Sequence, residues 1–189
     1  LVGLVLGVAA TLLSIRIGHA LKFEKRRRED RASARLLRTI EGRFRDVDVY
    51  VSEAFSGTPF TGGLLKPYIC VPADSYSRLS KEEFEAVISH ELGHVTQFDL
   101  AITIAVQLLG DLFWFVPGYR RLSRKIDRLR EIVADQFAIA NGAEPAQLAS
   151  ALIKLREIPE TPERFVLYSA FFREKSLLKE RVERLLGTK

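Results

Sequence analysis

The chain has 189 residues, of which 47% are apolar, 28% charged and 10% aromatic. That length fits one domain by the usual span of roughly 100–200 residues, and the composition excludes a disordered polymer. Net charge is +5, but much of the surplus sits in one run, Lys22 to Arg38, directly after an apolar segment. This placement suits a membrane flank, so no direct nucleic-acid partner is expected.

Leu1 to Ile15 carries no charge, and apolar character resumes from Ile17 to Leu21 after Arg16. A signal peptide carries its basic region in front, whereas here the basic region follows. A buried core helix also fits the length. The basic exit favours the end of a transmembrane helix over residues 1–21, with its flank on the cytoplasmic side. His19 reads as an interfacial residue of that segment. Residues 22–45 read as a basic cytoplasmic linker and helix, with Leu36, Leu37 and Ile40 on one side of an amphipathic stretch from Glu29 to Phe44.

Alternation over Asp46 to Val51 predicts a half-buried strand, and Tyr68 to Val71 a second short strand ending at Pro72. Beyond Pro72 the chain reads as helical. Ser80 and Glu83 form a capping box that opens a helix running to about Asp99. Ala101 to Val116 is an apolar run of marginal length for a span, either a core helix or one dipping into the membrane; partial membrane contact is the preferred reading. Further helices are expected over Tyr119 to Asn141, Pro145 to Glu157 and Glu174 to Leu186. The fold class is therefore α+β, mostly helical, with a small β-sheet. Cys70 is the single cysteine, which excludes an internal disulfide and fits a reducing compartment.

His90-Glu91-Leu92-Gly93-His94 is an H-E-x-x-H pattern inside the capped helix. Residues four apart stand one above the other on a helix, so two imidazoles converge on one zinc ion with the glutamate beside it. The motif holds two of the chain's three histidines. Phe84, Ile88, Leu92 and Val95 form the apolar stripe, with His90 and His94 on its flank and Glu91 within it. A carboxylate on an apolar face is costly unless it is paired or functional. A catalytic zinc needs a third protein ligand. Asp99, Glu131 and Asp135 are the downstream acidic candidates. Glu131 and Asp135 lie opposite the stripe of Leu122, Ile126, Leu129, Val133 and Phe137. Spacing alone leaves two readings open: a solvated face pairing with Arg124, Arg128 or Arg130, or a face turned toward the metal.

The segment Pro59 to Pro72, the run His90 to Asp99, Phe113-Trp114-Phe115-Val116-Pro117, Glu131 to Asp135 and Ser176 to Val182 together resemble the integral-membrane gluzincins of the BlaR/MecR type, the β-lactam-sensing receptor peptidases and their relatives. The likeness runs in order over almost the whole chain. It implies zinc on His90, His94 and Glu131, Glu91 as general base, and Asp135 as a supporting carboxylate; Asp99 is read as a second supporting carboxylate. It implies a gluzincin-like metallopeptidase domain over residues 46–189, facing the cytoplasm beneath the cell membrane. The partners it implies are a protein or peptide substrate, such as a cytoplasmic repressor or the chain itself, and the lipid bilayer. The HtpX/Ste24 type, with its membrane-protein quality control, shares H-E-x-x-H and a later glutamate. It usually carries a late His-Pro that is absent here. A non-catalytic zinc-containing signalling module is the remaining alternative, and Glu91 argues against it. The strand Tyr68 to Val71 is the expected edge for an extended substrate. Arg181 and Tyr119 are weakly supported donors to an oxyanion; a solvated arginine and a packed tyrosine are the plainer readings.

Overall fold

The computed structural model describes residues 34–41, 46–159 and 175–187, together with 3, 7, 8, 10–15, 17, 18 and 25. The residues described within 1–18 are helical. His19 and most of the basic run lie outside the described residues.

Four strands form one sheet: β1 (Arg35–Ile40), β2 (Val47–Ser52), β3 (Phe60–Gly62) and β4 (Tyr68–Pro72), in the order β1-β2-β4-β3. β1 and β3 run antiparallel to their neighbours, whereas β2 and β4 are parallel. Period-two alternation divides the sheet's side chains. Val47, Val49, Ile69 and Val71 form one buried cluster with Ile88 from the motif helix. Phe55, Phe60, Tyr68 and Cys70 form a separate buried cluster.

The described helices that follow β4 are α1 (Ala73–Arg78), α2 (Lys81–Thr96), α3 (Asp99–Leu112), α4 (Tyr119–Ala140), α5 (Pro145–Arg156) and α6 (Lys175–Leu185). The Ser80–Glu83 capping box opens α2 as the spacing predicts. Glu83 also accepts from Ser150 Oγ at 2.6 Å and Lys154 Nζ at 2.7 Å, which ties α2 to α5. α2 ends at a sharp corner where Phe98 takes a left-handed conformation, φ 56°. Such a conformation costs a non-glycine residue roughly 1–2 kcal/mol.

The expected helix over 29–44 is not present in its described part, because Arg35–Ile40 is a strand. A bulge between Leu36 and Arg38 changes the phase of that strand. Leu37 and Ile40, three apart as on a helix, thereby reach the same core cluster. The apparent helical period is the imprint of the bulge. Among the described strands β4 is also not an edge: it lies between β2 and β3, and β3 is a terminal strand, as is β1.

α4 is oriented against its own amphipathicity. Ser123, Asp127, Glu131, Ala134, Asp135 and Ala138 are its buried positions, while Leu122, Leu129 and Val133 are exposed. Among the described residues no single helix is long and apolar enough to cross a membrane. α2 and α3 pass that test only as a pair, bent by 59°.

Candidate metal centre

α2 carries His90, Glu91 and His94, and α4 lies across it. The close approach of these helices depends on Gly93 and Ala134. A Cβ built on Gly93 would meet Ala134 Cα at 3.2 Å and Phe137 Cβ at 3.3 Å. The small-residue contact thus turns the polar face of α4 onto the motif.

The two imidazoles present Nε2 atoms 3.1 Å apart. Glu131 places Oε2 at 3.6 Å from His90 Nε2 and Oε1 at 3.6 Å from His94 Nε2. Each imidazole is held from behind by a carboxylate: His90 Nδ1 lies 3.0 Å from Asp135 Oδ1, and His94 Nδ1 lies 2.5 Å from Asp99 Oδ2. The Asp99 bond at His94 Nδ1 draws a proton to that nitrogen; Asp135 stands at His90 Nδ1 as an ion-pair neighbour without an aligned hydrogen bond.

Each of those carboxylates is held by an arginine. Arg181, from α6, donates to Asp135 through Nε at 2.9 Å and Nη2 at 2.7 Å, and its Nη1 lies 2.6 Å from Glu131 Oε2. Arg130 Nε lies 3.1 Å from Asp99 Oδ1, and Arg130 Nη1 lies 3.3 Å from Asp127 Oδ1. Arg130 therefore faces inward to Asp99 and Asp127, where a pairing with Glu131 or Asp135 on a solvated face was one reading.

The electrostatics follow from this crowding. Burial acts to raise the Glu131 pKa, but Arg181, His94 and His90 outweigh it and hold the carboxyl below its ordinary range. Burial acts the same way on Asp135 and Asp99; the bonds and charges of His90 and Arg181, and of His94 and Arg130, reverse it. Burial acts to lower the Arg181 pKa, and Glu131 with Asp135 more than restore it, so the guanidinium stays charged.

Glu91 is buried beside this cluster and accepts from Thr61 Oγ1 at 2.8 Å on Oε2. Thr61 is the central residue of β3, so the terminal strand runs past the motif. His90, Glu91 and His94 can each offer a ligand atom within 4.8 Å of the others.

The donors fit a cation by their own spacing. Two ligands of a tetrahedral zinc at about 2.0–2.1 Å lie about 3.3–3.4 Å apart. The observed 3.1 Å and 3.6 Å separations bracket that edge.

Thr61, Arg130 and Arg181 were not singled out as holding the site by sequence reasoning. The sequence offers Arg181 as a weak donor to an oxyanion, with a solvated arginine as the plainer reading; its side chain is instead largely buried against Glu131 and Asp135. Tyr119 donates its hydroxyl to the Val106 carbonyl, which ties α4 to α3.

The site is thus a helix-borne H-E-x-x-H motif with a downstream carboxylate brought against it. Residues 1–185 match the BlaR1 peptidase M56 family, and the chain belongs to it. It is 28% identical over 128 residues to Regulatory protein BlaR1 of Bacillus licheniformis, covering 66% of this chain and 21% of that protein. It is 29% identical over 98 residues to the Methicillin resistance mecR1 protein of Staphylococcus aureus, covering 51% and 17%. It is also 29% identical over 122 residues to Protease HtpX homolog 2 of Methanosarcina mazei, covering 48% and 42%. The chain thus spans less than half the length of these curated relatives. Among solved structures, S. mikatae Ste24p aligns with a TM-score of 0.48 at 16% identity, over 80% of this chain and 51% of that one.

Proposed function

We propose that this chain is a membrane-tethered zinc metalloendopeptidase in which His90, His94 and Glu131 hold the metal and Glu91 is the general base. The observation that carries the reading is that the two Nε2 atoms lie 3.1 Å apart with one Glu131 oxygen 3.6 Å from each, and a carboxylate stands beside each Nδ1. His90, His94 and Glu131 would hold a zinc ion that would supply Lewis acidity to the scissile carbonyl and to the attacking water. Glu91 takes the proton of that water and passes it to the leaving amine, and Thr61 fixes the carboxylate that does so. Asp135 and Asp99 orient the imidazoles, and Arg181 and Arg130 orient those two carboxylates. β3 is the terminal strand beside Glu91, which suits it to pair with an extended substrate. The anchor in this reading is residues 1–21, and the peptidase domain faces the cytoplasm.

Similarity to BlaR1 and the mecR1 protein supports regulatory proteolysis of a cytoplasmic protein such as a repressor. Similarity to HtpX homologs supports a second reading, in which the substrate is a damaged membrane protein. Both readings share one chemistry. The test is Glu91→Ala: cleavage of a protein substrate is lost while zinc remains bound at one equivalent. Undiminished cleavage by that variant overturns the assignment of the base. A metal content that is unaffected by replacing both His90 and His94 overturns the zinc site.

A further inference from the structure

The buried polar face of α4 leaves its apolar stripe outside, and that stripe adjoins a second exposed apolar surface. On α3, Ile104, Leu108 and Leu112 are 39%, 44% and 41% exposed. The corner that joins α3 to α4 exposes Phe113, Trp114, Phe115 and Val116 in succession. Leu122, Leu129 and Val133 continue it along α4, with Leu122 55% exposed. Contiguous apolar surface of this kind marks an interaction site.

Charge decides the partner. From Leu100 to Ile126 the one acidic residue is Asp111, which is buried, whereas Arg120, Arg121, Arg124 and Lys125 are exposed. A second copy of this face would bring like charges together. An anionic bilayer surface attracts them, and tryptophan and phenylalanine are favoured at its headgroup level. The 14 residues of α3 make about 21 Å of helix, short of a hydrocarbon core of roughly 30 Å, so the helix seats in the interface rather than crossing.

We infer that α3, the 113–116 corner and the outer face of α4 form a surface that seats in an anionic phospholipid interface. The surface is joined to the metal centre at one residue. Asp99 is the first residue of α3, and its carboxylate holds His94 Nδ1 at 2.5 Å. Lipid that fixes α3 also fixes the carboxylate that orients His94. This second step rests on the zinc reading; the first does not.

Trp114 is the chain's single tryptophan and reports on the surface directly. The full chain is reconstituted in phosphatidylglycerol–phosphatidylcholine vesicles whose acyl chains are brominated near the headgroup. The expected result is strong quenching of Trp114 by the bromolipid and protection from aqueous acrylamide. Leu108→Glu with Leu112→Glu removes the quenching, while Ile153→Glu, an exposed residue of α5, leaves it intact. Arg120→Glu with Arg121→Glu weakens it in anionic vesicles. Trp114 that is quenched by acrylamide and spared by bromolipid overturns the inference, as does burial of Trp114 in a dimer that crosslinking detects. Zinc extraction by a chelator reads the second step. The Leu108→Glu, Leu112→Glu variant should lose about tenfold in zinc affinity, the lower end for a disturbed outer carboxylate. Unchanged affinity in a variant that has lost the quenching dismisses the link through Asp99 and leaves the surface standing.

Discussion

Arg181 Nη1 lies 2.6 Å from Glu131 Oε2, so the C-terminal helix delivers a buried positive charge to the carboxylate between the two motif histidines. The same guanidinium spans Asp135 with two bonds. Removing it leaves two carboxylates buried without their cation. Arg181→Ala should therefore destabilise the metal-free protein by about 3–5 kcal/mol, the usual cost of breaking a buried pair. Added zinc should recover more stability in the variant than in the wild type, because a dication replaces the missing charge. Thermal melts with and without zinc check this, and equal zinc-induced shifts in the two proteins contradict it.

The carboxylates separate by role in metal titrations. Asp135→Asn and Asp99→Asn each leave Nε2 in place but loosen the imidazole behind it. Each should weaken zinc binding about 10–100-fold. Glu131→Gln removes a donor as well as a charge and should cost more than either. Chelator competition measures all three. A Glu131→Gln protein that binds zinc like the wild type removes Glu131 from the ligand set.

Thr61→Val keeps the shape of the side chain and deletes its bond to Glu91. Hydrogen bonds to charged groups are worth about 1.5–3 kcal/mol, which converts to roughly 10–100-fold in rate if the bond serves the base. The expected result is a lower kcat with zinc content and KM near wild type. A fall in KM-dependent binding alone would point to β3 as a substrate contact only.

Glu83 offers a pH test away from the metal. Burial acts to raise its pKa, but Lys154, Ser150 and the Ser80 backbone amide outweigh burial and depress it. The folded value lies below the ordinary 4.5, so protonation favours the unfolded chain. The stabilisation is whole above the ordinary value and is lost as pH falls through the depressed one. The stability gap between wild type and Glu83→Gln should be constant near neutrality and close in acid. Denaturant melts across that range read it, and a gap that widens in acid reverses the assignment.

The start of α2, the alternation of β2 and the H-E-x-x-H face were all legible in the residues, because each is a local pattern with a local cause. Ser80 and Glu83 bond within one turn, and positions 90 and 94 share a face on any helix. The ordered resemblance likewise pointed to the BlaR1 peptidase M56 family from short phrases spread along the chain. Periodicity was silent on direction. It showed that α4 has an apolar and a polar side, but not that Gly93 and Ala134 would draw the polar side inward. It also read the bulge in β1 as a helical spacing, since apolar residues three apart look alike in both settings. The convergence of Glu131, Asp135 and Arg181 on His90 joins three helices across 91 positions of sequence. Only tertiary packing decides such a meeting, and at this site it supplies the charge balance that lets buried carboxylates and imidazoles stand together.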